Sequence, residues 1–253
     1  MINTYKHVFH TAQNAARYDE IEYGEGSYSQ LLWELEKSVL RATVAELRQS
    51  KTQIRYLDFA SGTGRVAAVI EGLVDSATAI DVSDSMLARA RQRLRRTTVL
   101  RRDITTEPDR AEERFDLITA FRFFLNAEPA LRQAAMRALA GRLRDETSLL
   151  VFNNHGNFYS LKMLKWPYHF LRRATQKGWQ ADGNYLRHSQ IEHLLESAGL
   201  RIVRVVGLGV LSGTIAGRLS FECSLRLEKW FAAKPLCSRF GQDQVYLASR
   251  IPK

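Results

Sequence analysis

Ile54-Arg55-Tyr56-Leu57-Asp58-Phe59-Ala60-Ser61-Gly62-Thr63-Gly64-Arg65 reads as a short buried strand, a loop of small residues and the first turn of a helix. Ile54, Tyr56, Leu57 and Phe59 suit a strand buried among other elements. Ala60 to Gly64 carry little side-chain bulk, so a ligand can lie close to the backbone. From Arg65 onward, Val66, Val69, Ile70 and Leu73 return at helical spacing. A helix start that opens out of such a loop offers free N–H groups and the positive end of the helix dipole to polar ligand groups.

Downstream, the same alternation repeats. Ala77-Thr78-Ala79-Ile80-Asp81 is a second short strand ending in an acid, and Ser83 or Asp84 caps a helix predicted to run to about Arg96. Met86, Leu87, Ala90 and Leu94 give that helix an apolar side. Its arginines, among them Arg89, Arg91, Arg93 and Arg95, read either as a solvated face or as a stripe for nucleic acid. A third strand leads through Val99 and Leu100 into Arg101-Arg102-Asp103-Ile104, and a fourth covers Arg114 to Ala120. Pro129 opens a helix carrying Leu131, Ala135, Leu139 and Leu143, and Thr147 to Phe152 is a fifth strand. Strands alternating with helices at this spacing predict an α/β, doubly wound, Rossmann-like sheet with helices on both faces. A helix ending at Gly199, a strand over Leu200 to Val206 and a closing strand over Gln244 to Arg250 complete the pattern.

The chain has 253 residues and 45% hydrophobic residues, enough for one substantial core. With no internal repeat and no low-complexity linker, it reads as a single domain over 1–253. An N-terminal helical cover spans about 1–50, and lid-like insertions span about 156–187 and 208–240. In the cover, Ser27 or Ser29 caps a helix whose apolar stripe runs through Leu31, Leu35, Val39, Leu40, Val44 and Leu47. The tyrosines ahead of it read either as packing or as a lid in which Tyr18 or Tyr23 closes a pocket. The two cysteines, Cys223 and Cys237, form no CxxC and have no clustered histidines beside them. That argues against a disulfide framework and against a metal site, and fits a reducing, cytoplasmic setting. The first residues are polar and aromatic with no apolar signal core, and no run approaches the roughly 18 apolar residues of a membrane span. The net charge of +10 biases partners toward anionic ones without fixing their kind.

Three acids fall at the ends of three consecutive strands, Asp58, Asp81 and Asp103. In an open parallel sheet, ligands bind outside those ends. Asp81 is placed to take both ribose hydroxyls of a nucleoside. Asp58 is placed to order the loop or meet a ligand ammonium, and Asp103 to accept from an adenine amine with Ile104 beside the ring. Gly62-x-Gly64-x-x-Ala67 alone also satisfies a dinucleotide fingerprint, which would make the protein an NAD-dependent oxidoreductase. The acid before the loop, the Asp103-Ile104 pair and the closing strand count against that reading.

Taken together, Asp58-x-Ala60-Ser61-Gly62-Thr63-Gly64, Ile80-Asp81-Val82-Ser83-x-x-Met86-Leu87, Arg102-Asp103-Ile104 and Phe115-Asp116-Leu117-Ile118 resemble the class I S-adenosylmethionine-dependent methyltransferases. The resemblance covers residues 54–153 and extends to the last strand. Ala60 and Ser61 stand where the family often has an acid or cysteine and a glycine, and both are still small. The resemblance implies a seven-stranded sheet with an antiparallel last strand, S-adenosyl-L-methionine as cofactor and S-adenosyl-L-homocysteine as product. It implies Asp81 on the ribose, Met86 against the adenine, Asp103 at the adenine amine, and Gly62 and Gly64 under the methionine portion. Asp58, Ala60, Val82, Ile104 and Phe121 complete the cofactor wall.

The acceptor side is expected in two loops, Ala120-Phe121-Arg122-Phe123-Phe124-Leu125-Asn126 and Asn153-Asn154-His155-Gly156-Asn157. The first lacks the Asn/Asp-Pro-Pro-aromatic sequence used on exocyclic base amines, and no Pro-Cys pair exists for attack at cytosine C5. A small-molecule or saccharide hydroxyl, lipid-linked or free, is the expected acceptor, with nucleic acid or protein as the alternative favoured only by charge. His155 is the candidate base because its ordinary pKa suits neutral pH. Arg122 either binds an anionic acceptor or pairs with a sheet-end acid, and Asn154 is a further candidate for substrate contact. The aromatic and basic segment 160–177 reads as a lid over the site or as a peripheral contact with an anionic membrane.

Overall fold

The computed structural model describes residues 27–106, 113–161 and 185–252. Its strands are β1 (Arg55–Phe59), β2 (Ser76–Asp81), β3 (Thr97–Arg101), β4 (Leu117–Ala120), β5 (Leu149–Asn154), β6 (Leu200–Leu208) and β7 (Asp243–Arg250). They form one sheet in the order β3-β2-β1-β4-β5-β7-β6. Neighbours from β3 to β5 are parallel, and β7 runs antiparallel between β5 and β6. The strand order reverses between β1 and β4, where an open parallel sheet leaves a crevice at its carboxyl edge.

The helices are α1 (Tyr28–Ser50), α2 (Arg65–Ile70), α3 (Asp84–Arg93), α4 (Pro129–Arg142), α5 (His188–Glu196), α6 (Gly213–Ala216), α7 (Phe221–Ala232) and α8 (Pro235–Ser238). One core holds Leu31, Leu35, Leu40 and Leu47 of α1 with Val66 and Ile70 of α2 and Ala90 of α3. The other holds Met136 and Leu139 of α4 with Ile191 and Leu195 of α5. Each fully buried leucine of α1 stabilises this layering by about 2 kcal/mol. Ser27 caps α1 by accepting from Gln30 N–H, and Ser83 caps α3 by accepting from Met86 N–H.

The strands and helices expected from the pattern are present, with three boundary shifts that have visible causes. α3 stops at Arg93, not Arg96, because the Glu71 carboxylate takes the N–H groups of Arg95 and Arg96 and the hydroxyl of Thr97. That draws the chain directly into β3, which pairs Thr97 with Ala77 and Arg101 with Asp81. β3 therefore ends two residues before Asp103, whose side chain accepts from Thr105 N–H and turns the chain. β4 starts at Leu117, since Asp116 spends its carboxylate on Arg55 N–H (2.8 Å) and on Lys51 (3.1 Å) and Arg144 (3.1 Å).

Of the two insertions, residues 162–184 lie outside the description, as does most of the 160–177 segment. The 208–240 insertion folds as α6, α7 and α8 against the edge of the sheet. Glu228 anchors it by accepting from the backbone N–H groups of Gly209, Val210 and Leu211. Among the described residues, no helix is long and apolar enough to cross a membrane.

Candidate functional site

The loop after β1 holds an unusual backbone. Ala60, Gly62 and Gly64 all have positive φ, at 51°, 54° and 76°. Two of the three are glycines because that region costs an ordinary L-residue about 1 kcal/mol. Gly64 could hold nothing larger on packing grounds as well, since a Cβ there would come within 2.9 Å of Leu94 Cδ1. Gly62 differs. A Cβ there would meet nothing within 4 Å, and Gly62 lines a cavity. The loop thus leaves an open cradle at the point where backbone faces that cavity.

Acids at the strand ends fasten this cradle. Asp81 Oδ2 accepts from Gly62 N–H (2.8 Å) and Oδ1 from Ser83 N–H (2.9 Å), tying the first loop to the second. Asp58 is fully buried. Its Oδ2 accepts from Ala67 N–H in the first turn of α2 (3.1 Å), and its Oδ1 from the Thr119 hydroxyl (2.7 Å). With Thr119 donating there, the Tyr56 hydroxyl donates to Thr119 Oγ1 at 2.6 Å. Burial pushes the Asp58 carboxyl up to about 7, against the lowering effect of the Thr119 and Ala67 hydrogen bonds and with a further upward push from Asp81. Arg93 donates to both Thr63 O and Thr63 Oγ1 at 2.8 Å, so one arginine of the basic helix braces the loop and is not simply solvated.

The cavity lies over the crevice between β1 and β4. Asp58, Ala60, Gly62, Asp81, Val82, Met86 and Asp103 line it. Phe121 and Arg122 line it as well, together with Phe123, Asn126 and Leu131. Nine of the expected site residues therefore meet around one space. Gly64 and Ile104 sit immediately behind it, Gly64 at the start of α2 and Ile104 in the core. Asn154 and the half-buried His155 do not line it. Asn154 is buried, donates to Leu186 O (3.1 Å) and accepts from Gly156 N–H (3.3 Å), so its polar atoms hold the loop. Tyr18 and Tyr23 lie outside the described residues.

Arg122 belongs to a second cluster. It has φ 59°, and its N–H donates to Asn153 Oδ1 at 2.7 Å. Its guanidinium stands 3.4 Å from Glu36 of α1 and 3.8 Å from Asp243 at the start of β7. Asn153 Nδ2 bridges both acids, at 3.0 Å and 3.2 Å. Burial holds the Glu36 carboxyl well above the ordinary carboxylate range. Arg122 opposes that, and Asp243 adds to it. The ion pair with a sheet-end acid is thus realised. The buried Glu36 has no signal in the sequence, because it is one of three glutamates in an amphipathic helix and its partners lie 86 and 117 residues away.

A family model described as a methyltransferase domain matches residues 32–205. The chain belongs to this methyltransferase family. It is an S-adenosylmethionine-dependent methyltransferase. The methyltransferase also shares its fold with solved structures. Magnesium protoporphyrin IX methyltransferase from Synechocystis PCC 6803, with bound S-adenosylhomocysteine, is 14% identical with TM-score 0.63, covering 96% of each chain. The N-methyltransferase NodS from Bradyrhizobium japonicum WM9, also with S-adenosylhomocysteine, is 16% identical with TM-score 0.60, covering 96% of this chain and 100% of the other. A SAM-dependent methyltransferase from Archaeoglobus fulgidus is 18% identical with TM-score 0.56, covering 92% and 98%. No curated protein matches the chain by sequence.

The residues present fit the methyl donor. The Gly62 cradle accommodates close approach, and the acids at the ends of β1 and β2 and just beyond β3 face one space. Three signals were weaker in the sequence. Arg65 is the first residue of α2 and stacks on Trp33 at 4.6 Å, while Thr105 and Leu131 enter from the turn after β3 and from α4.

Proposed function

We propose that this methyltransferase transfers the methyl group to a hydroxyl of a small-molecule or saccharide acceptor. The bound donor supplies an electrophilic methyl group on a sulfonium. The remaining requirements fall on the chain: hold the donor, present the acceptor in line with it, exclude water and take one proton. Asp81 is assigned to the ribose hydroxyls, Met86 and Val82 to the adenine faces, and Asp103 to the adenine amine. Asp58 and the Ala60–Gly64 loop are assigned to the methionine portion. The observation that supports this assignment is that Asp58, Asp81 and Asp103 line one cavity together with Gly62.

The acceptor enters, in this reading, past Phe121, Phe123, Leu131 and Asn126. Apolar rings with one amide suit a compact acceptor with a few polar groups. Arg122 lines that wall while paired behind with Glu36 and Asp243, so it can orient an acceptor without adding a full unpaired charge. His155, which does not itself line the donor cavity, is proposed as the base for an acceptor held beyond that cavity's wall. It follows β5 at the same edge, two residues beyond Asn153, which itself bonds Arg122 of the wall. The test is radiolabelled methyl transfer across hydroxyl and amine acceptors. His155→Gln should lose most turnover while its thermal stabilisation by S-adenosylhomocysteine is unchanged, and near-normal turnover in that variant removes the base role.

A second reading, an RNA or protein acceptor, is favoured by the charge of +10 and by the exposed Arg91, Arg95 and Arg96 near the end of α3. RNA binding that weakens steeply with salt would support it. Indifference to RNA at low salt would remove the nucleic-acid form of it.

A further inference from the structure

The 208–240 insertion carries apolar side chains on its outside. On α7, Phe221, Leu225 and Ala232 pack toward the α1 core, and Ser224 and Glu228 are buried on the same side. At about 100° per residue, Cys223, Leu227 and Trp230 fall on the opposite side of the helix. There Cys223 is exposed, Leu227 is beyond one-third exposed and Trp230 is 55% exposed. A helix apolar on two opposite sides has two surfaces to cover, and among the described residues one of them is covered. The same outward character continues into α8 and the turn after it, with Leu236 at 76% and Phe240 at 55% exposure. Leu236 and Phe240 share a cavity of about 440 Å³ with Tyr159, itself half exposed, so the apolar surface extends to the loop after β5.

Cations surround this surface. Arg218, Arg226, Lys229, Lys234 and Arg239 are all exposed in the insertion, and Lys234 Nζ lies 5.6 Å from the Trp230 ring. Of its two acids, Glu222 is exposed and Glu228 is buried against backbone N–H groups. A Trp, Leu and Phe surface ringed by Lys and Arg is the chemistry of an interfacial membrane contact, with the apolar tips entering the acyl boundary and the cations at the headgroups. A second copy fits less well, because a two-fold contact through this face would oppose five cations with five cations. The insertion joins the carboxyl end of β6 to the start of β7, on the sheet edge where the cavity opens.

We infer that the outer face of α6–α8 docks on an anionic phospholipid surface. This stands apart from the acceptor's identity. The test is co-sedimentation with vesicles of phosphatidylcholine mixed with phosphatidylglycerol, against phosphatidylcholine alone. The protein should pellet with the mixed vesicles and be released by salt. Trp230→Ala with Leu236→Ala should weaken binding by about tenfold or more. Lys229→Gln with Lys234→Gln should weaken it by about 25-fold, or about fivefold per cation. All variants should keep the wild-type thermal stabilisation by S-adenosylhomocysteine, which shows that they fold and separates this inference from the cofactor assignment. Equal pelleting with both vesicle types, or variants that bind as the wild type does, would overturn it. So would a wild-type dimer in sedimentation velocity that becomes monomeric with Trp230→Ala and Leu236→Ala.

Discussion

The two halves of the sheet handle their buried acids differently. On the β1–β2 side, Asp58 and Asp81 sit at strand ends and bond the backbone N–H groups of loops that follow within nine residues of them or lie one strand over. On the β5–β7 side, Glu36 and Asp243 are brought together from α1 and β7 by Asn153 and Arg122, across 86 to 117 residues of chain. In the first arrangement the acids are fastened by amides and still line a cavity. The second is a buried cluster of one arginine and two acids, in which burial favours the protonated form of Glu36. The cluster positions the cradle's far wall because Arg122 belongs to both.

Arg122 is where the two sides separate most in stability. Arg122→Ala should cost about 3 kcal/mol of stability in chemical denaturation, since it leaves a buried acid pair without its nearest guanidinium. Adding Glu36→Gln should recover part of that loss. Additive losses would show that Arg122 and Glu36 are not coupled. On the cradle side, Asp81→Asn should weaken S-adenosylhomocysteine binding by about 2 kcal/mol, roughly 30-fold by calorimetry, with a much smaller effect on stability. Unchanged affinity would detach Asp81 from the cofactor.

A smaller effect separates the two sides by pH. Glu36 has a raised pKa in the fold, so the folded state holds its proton more tightly than the unfolded chain. Its contribution is fully present below the unfolded value near 4.5 and is lost as pH rises through the folded value. The melting temperature should therefore fall from about pH 5 toward the alkaline side of neutral, and Glu36→Gln should flatten part of that slope. Asp58, raised to about 7, adds a slope of the same sign that Glu36→Gln leaves in place. An unaltered slope in the variant would show that Glu36 titrates normally. The smallest expected change is at the α3 cap, where Ser83→Ala should cost about 1 kcal/mol in denaturant melts.

This difference also explains what could be read from the sequence. Strand-end acids and the small-residue loop carry local signals, so β1, β2 and their acids were legible, as were the sheet type and the closing strand. Boundaries set by distant carboxylates were not. Glu71 ends α3 early and Asp116 delays β4, and neither effect has a periodicity to announce it. The positive φ of Ala60 and Arg122 was equally silent, because neither is glycine. The loop after β4 was marked as a wall, and its Phe123 and Asn126 do line the cavity. The stretch from Asn153 onward reads as a second wall, yet Asn154 is the last residue of β5 and holds Leu186 O. The residue's type was visible in the sequence, and the direction of its side chain was not.

The proposed function requires that the cavity at the carboxyl ends of β1, β2 and β4 hold the methyl donor. A crystal structure with S-adenosylhomocysteine tests it most directly. The ribose hydroxyls are expected on Asp81, the adenine amine at Asp103 and the sulfur facing Phe121 to Asn126. A ligand bound elsewhere, or one whose ribose makes no contact with Asp81, would contradict it.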